Sequence, residues 1–134
     1  YSGATFINTS IPLWQRQPLV SLTLYHNPRC SKSRQTLTLL QERGLEPEII
    51  LYLENPLDKC VITQLLAQLQ IEARALLRKN EDEYRSLGLD NMALSENALI
   101  EALSLHPRLM ERPIVVNGDR AVLGRPPENV LQIL

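Results

Sequence analysis

Cys30 stands in the most chemically loaded stretch of this chain. Residues 22–34 read Leu-Thr-Leu-Tyr-His-Asn-Pro-Arg-Cys-Ser-Lys-Ser-Arg. A short alternating apolar segment stops at a turn, and a cysteine follows where a helix begins, with His26, Arg29, Lys32 and Arg34 close by in sequence. Only the thiolate form of cysteine is strongly nucleophilic, and a helix start with cations around it stabilises that anion. The amides of Ser31, Lys32 and Ser33 begin the helix as donors without intrahelical partners, so the same turn can lower a thiol pKa and hold an oxyanion. Two chemistries fit: nucleophilic attack on a tetrahedral oxyanion, or a thiol-transfer step. The competing structural reading, a small buried hydrophobe, fits poorly because Cys30 lies outside both neighbouring apolar patterns. His26, four residues earlier, is either a surface turn residue or, if its ring reaches Cys30, a cation that favours the thiolate. Ser33 and Arg34 join it as candidate activating groups.

A Cys-x-x-Ser spacing leaves no second thiol at the usual resolving position, which excludes an internal Cys-x-x-Cys cycle. The chain has one other cysteine, Cys60. At 100° per residue it projects roughly opposite the apolar face of its helix, so it is expected to face solvent. Two cysteines and two histidines without finger-like spacing argue against a zinc site.

The elements that must position Cys30 follow from pattern. Leu22, Leu24 and Tyr25 predict a strand, and Ser33 to Arg43 a helix closed by Gly44. The continuous apolar run Glu48 to Leu53 predicts a strand covered on both faces. Asn55 is expected to cap the next helix, with Pro56 and Asp58 in its first turn and Leu57, Val61, Ile62, Leu65, Leu66 and Leu69 on one face. The segment 71–107 reads as short helices (73–78, 82–87, 95–105), the last with Ser95 as N-cap and a Leu94–Leu99 staple. Ile114 to Val116 and Arg120 to Leu123 form a hairpin through Asn117-Gly118, and Glu128 to Leu134 a closing helix. The fold class is therefore α/β: a four-stranded mixed sheet, β-α-β, helical insert, β-β-α, with helices on its faces.

At 134 residues with net charge −1 the chain is one domain without a broad basic face for nucleic acid or an anionic membrane, and no apolar run is long enough to span a bilayer. Few cysteines fit a reducing cytoplasm. Residues 1–20, with a single charge at Arg16, read as a weakly ordered extension to a domain over 21–134.

Several separated motifs then match one family in order. These are His26-Asn-Pro-Arg-Cys30-Ser-Lys-Ser33-Arg34, Leu51-Tyr-Leu-Glu-Asn-Pro56, Ala75-Leu-Leu-Arg-Lys-Asn80, Glu111-Arg-Pro-Ile-Val-Val116 and Gly124-Arg-Pro-Pro-Glu128. On these residues the chain resembles the glutaredoxin-dependent arsenate reductases of thioredoxin fold. The resemblance implies that Cys30 attacks arsenate, that glutathione attacks the adduct as co-substrate, and that glutaredoxin takes over the mixed disulfide as arsenite leaves. It places three oxyanion-holding arginines on Arg78, Arg112 and Arg125 and a cis peptide before Pro113. It implies no bound cofactor and a monomer. Guanidinium forks match oxyanions, and Arg112 and Arg125 bracket the predicted hairpin. Ser31 and Lys32 stand where the family commonly has Gly-Thr, which restricts the turn, adds a charge to the anion site and keeps substrate choice open. Two alternatives stand beside this reading: a glutathione-dependent thiol transferase using the same fold, and a non-enzymatic Spx-like regulator that binds RNA polymerase and resembles the same family, against which Ser33 counts because such switches typically use a Cys-x-x-Cys pair.

Overall fold

A computed structural model describes residues 22–134; the expected extension lies outside them. Strands β1 (Leu22–His26), β2 (Glu48–Leu51), β3 (Ile114–Asn117) and β4 (Arg120–Leu123) form one sheet in the order β2-β1-β3-β4. β1 runs parallel to β2 and antiparallel to β3, and β3 pairs antiparallel with β4. The mixed sheet is the one expected.

Side-chain alternation along β1 divides the core in two. Leu22 and Leu24 join Val115 against Leu40 of helix α1 (Ser31–Glu42) and against Val130 and Ile133 of a closing 3-10 segment (Pro127–Ile133). Tyr25, Ile114 and Val116 face the other way, onto α2 (Lys59–Leu69), α3 (Ala73–Leu76), α4 (Asp82–Ser86) and α5 (Glu96–Leu105). The sheet is thus sandwiched, and β1, buried along most of its length, delivers its C-terminal end and Cys30 to one rim.

Four local expectations need correction. β2 is an edge strand, not one covered on both faces, and Ile49 is 44% exposed; a continuous apolar run does not distinguish a central strand from an edge. Asn55 does not cap α2. Its amide and that of Glu54 close a tight turn on the Leu51 carbonyl, and Asp58 becomes the N-cap by accepting from the Val61 amide at 2.9 Å. The hairpin loop is Gly118-Asp119, because Asn117 pairs with Arg120 and Gly118 takes φ +65; glycine is needed at that first loop position. The closing helix is 3-10 rather than α, entered through Pro126-Pro127, neither of which has an amide proton to donate. Elsewhere the caps agree: Ser95 Oγ accepts from the Ala98 amide at 3.1 Å, and Gly44, at φ +75, donates to the Gln41 carbonyl beyond α1.

Gly124 fixes how β4 leaves the sheet. A Cβ there would lie 2.7 Å from Thr36 Oγ1 and 2.9 Å from Pro113 Cγ. Both neighbours are held: Thr36 Oγ1 donates to the Lys32 carbonyl, and Pro113 accepts from the Gly124 amide. Gly124→Ala is expected to cost about 1–3 kcal/mol, the usual range for overpacking. Urea unfolding would measure it, and a loss below about 0.5 kcal/mol, ordinary for a surface change, would contradict the close packing.

Candidate active site

The turn that carries Cys30 is built by its own sequence. Asn27 Oδ1 accepts from the Arg29 amide at 3.0 Å, and the Asn27 carbonyl accepts from the Cys30 amide at 3.0 Å. Pro28, with its φ preset, occupies the second position of this turn. Cys30 is then the N-cap of α1 in extended conformation, and its carbonyl accepts the first helical bond from Arg34 at 3.0 Å. Its sulfur lies over the first turn without making a capping hydrogen bond of ordinary geometry.

Cys30 is half-buried. Burial pushes its pKa up, but the Ser33 amide, the guanidinium of Arg112 and the Lys32 amide together bring it below the ordinary thiol value. The net direction favours thiolate at neutral pH, as a nucleophile at a helix start requires. Ser31, the first residue of α1, has no positive φ, so serine is accommodated there without strain.

His26, open to reading as a surface turn residue or as a cation beside the thiol, is instead buried against Ser33. It is 6% exposed, and its Nδ1 lies 2.6 Å from Ser33 Oγ. Burial first, and the charge of Arg34 second, lower its pKa. The imidazole is therefore neutral at pH 7. Ser33 Oγ also accepts from the Asn27 amide at 3.0 Å. This buried pair ties the end of β1 to the start of α1 and so holds the Ser33 amide under the sulfur. Arg34 points away: it is exposed and donates to the Pro28 carbonyl at 2.9 Å.

The three arginines meet at the same rim but in different states. Arg112 lies close enough to the sulfur for its charge to lower the Cys30 pKa. Arg125 donates to the Arg112 carbonyl at 3.0 Å, which orients the segment rather than the thiol. Arg78 is braced by Glu81 at 3.3 Å and Glu111 at 3.4 Å. It arrives there through a bridge between Leu77 and Met110, in which the Arg78 amide donates to Leu109 and the Glu111 amide to Leu76. The peptides before Pro113 and Pro126 are both cis; the second was not anticipated. Tyr52, Glu81 and Glu111 also belong to this cluster. Sequence pattern gave no sign of Glu81, while Tyr52 and Glu111 sat inside matching motifs without a role.

Cys60 is exposed and free, as its helical phase requires. Cys60→Ser is expected to leave turnover and stability within about 0.5 kcal/mol of wild type. A coupled activity assay beside urea unfolding would show it, and loss comparable to that of a Cys30 variant would mean an internal disulfide cycle.

A mixed four-stranded sheet with one activated thiol at the N-cap of its first helix, facing a cis-proline segment, defines a thioredoxin-like protein with a single reactive cysteine. The ArsC family model matches residues 25–133, and the chain belongs to that family. An arsenate reductase of Haemophilus influenzae is 47% identical over 86% of this chain and 100% of its own length. The protein YfgD of Escherichia coli (strain K12), described only as uncharacterized, is 55% identical over 83% of this chain and 94% of its own. The solved structure of an arsenate reductase from Vibrio cholerae superposes with a TM-score of 0.84 at 47% identity, covering 86% of this chain and 98% of that one.

Proposed function

We propose that the protein is an arsenate reductase that draws its electrons from glutathione and glutaredoxin. The observation that carries this reading is the position of Cys30 as the N-cap of α1 beside Arg112, where the first-turn amides and the arginine's charge favour its thiolate. Arsenate, a tetrahedral oxyanion, would rest against the Lys32 and Ser33 amides, with Ser31 and Lys32 at the mouth and Arg78, Arg112 and Arg125 around it. Cys30 attacks arsenic, a sulfur–arsenic bond forms, and one arsenate oxygen leaves as water. Glutathione supplies the second thiol. A sulfur–sulfur bond then forms, the two thiols lose two electrons, arsenic goes from the pentavalent to the trivalent state, and arsenite leaves. Glutaredoxin reduces the mixed disulfide and restores Cys30.

The need for borrowed thiols rests on the absence of a cysteine at position 33 and the exposed position of Cys60. The free cysteines suit a reducing compartment, and we place the reaction in the cytoplasm with the chain acting as a monomer. Arsenite formation should be supported by glutathione with glutaredoxin and not by thioredoxin with its reductase. Equal rates with thioredoxin would overturn the choice of electron donor while leaving arsenate as substrate.

A further inference from the structure

Tyr52 lies just past β2 and is 0% exposed, yet its hydroxyl has no hydrogen-bond partner among the described residues. Arg112 Nε is buried and unpartnered in the same way. Two orphaned buried donors are unusual, since nearly all such groups are paired in folded proteins. These two stand together. The Tyr52 hydroxyl lies within electrostatic reach of Arg112, Arg78 and Cys30, although its approach to Arg112 falls short of hydrogen-bond geometry. Arg112 in turn lies beside Cys30, near enough for its charge to favour the thiolate.

The missing partner must accept hydrogen bonds, because arginine Nε can only donate. It must also tolerate, and be drawn by, the positive charge of Arg112. Burial pushes the Tyr52 pKa up, so the hydroxyl keeps its proton and is available as a neutral donor. A small oxyanion resting beside Cys30 meets each requirement.

We propose that Tyr52 is a substrate-contacting residue whose hydroxyl, together with Arg112 Nε, donates to the oxygens of the oxyanion that Cys30 attacks. The identity of that oxyanion as arsenate rests on the function proposed above; the anion site itself rests on the two orphaned donors. No proton changes hands in this role. The two donors fix the anion's oxygens and so turn its central atom toward the sulfur, and being neutral, Tyr52 does so without further lowering the thiol pKa.

The test is protection of Cys30 from iodoacetamide by arsenate and by inorganic phosphate, without glutathione, in wild type and Tyr52→Phe. Losing one hydrogen bond to a charged group should raise the concentration needed for half-protection about tenfold. The alkylation rate without anion and its pH inflection should stay unchanged, and the melting temperature should hold or rise, because Phe removes an unpaired buried hydroxyl. Half-protection within twofold of wild type would overturn the proposal. So would a raised inflection together with a lowered melting temperature, which would make the hydroxyl structural. If neither anion protects wild type, the oxyanion site and the arsenate reading fall together. If both protect it but arsenate is not reduced, the function falls alone, and Tyr52 is still decided by the comparison with Phe.

Discussion

Replacing Cys30 by Ser is expected to abolish arsenate-dependent turnover while leaving the fold at least as stable as before. The hydroxyl of serine stays protonated at neutral pH and forms no disulfide, so both the attack on arsenic and the release of arsenite are lost. A fall on the order of a thousandfold or more is in keeping with what removal of a catalytic nucleophile does elsewhere. Stability should move the other way. Cys30 is the N-cap of α1 and makes no capping hydrogen bond, whereas serine is a preferred cap whose oxygen can accept from the first-turn amides, a difference of roughly 0.5–2 kcal/mol. Turnover measured beside urea unfolding therefore separates the roles. An inactive variant with lowered stability would mean that the sulfur holds the fold together.

Arg112→Ala should be the most damaging change outside the cysteine, because one side chain serves two purposes. It electrostatically favours the Cys30 thiolate, and its Nε is a buried donor without a partner near the same spot. Without it, burial is opposed only by the Ser33 and Lys32 amides, and the Cys30 pKa rises toward or past the ordinary thiol range. The sign is fixed: a higher thiol pKa means less thiolate at neutral pH, so the alkylation inflection moves to higher pH and turnover recovers only on the alkaline side. Loss of one preorganised oxyanion donor costs about 10²–10³-fold in rate, and the loss of thiolate adds to it. Arg112→Lys should fall between, keeping a charge but not the planar fork. An unmoved inflection in Arg112→Ala would show that the helix start alone activates Cys30.

Features that depend on neighbouring residues were legible in the sequence. Asn27-Pro28 made the turn, the alternation of Leu22 and Leu24 made the strand, and the helical phase of Cys60 placed it in solvent. Features that depend on distant pairing were not. The apolar run from Glu48 looked central because hydrophobicity does not reveal which strand ends at an edge. Nothing near Arg78 indicated that the Leu77–Met110 bridge would carry it to Glu111 and beside Arg112. His26 in a polar turn read as either a surface residue or a cation; its burial against Ser33 Oγ, seven residues on, lowers its pKa and favours the neutral ring. Tyr52 read as strand, since an aromatic in an apolar run gives no sign that its hydroxyl will be left without a partner.

The most direct measurement is arsenate-dependent NADPH oxidation in a coupled mixture of glutathione, glutathione reductase and glutaredoxin, with arsenite quantified in parallel. NADPH should be consumed and arsenite formed in equal amounts by wild type and Cys60→Ser, and neither should occur with Cys30→Ser. Wild-type protein that oxidises no NADPH in response to arsenate, or Cys30→Ser that still does, would contradict arsenate reduction at Cys30.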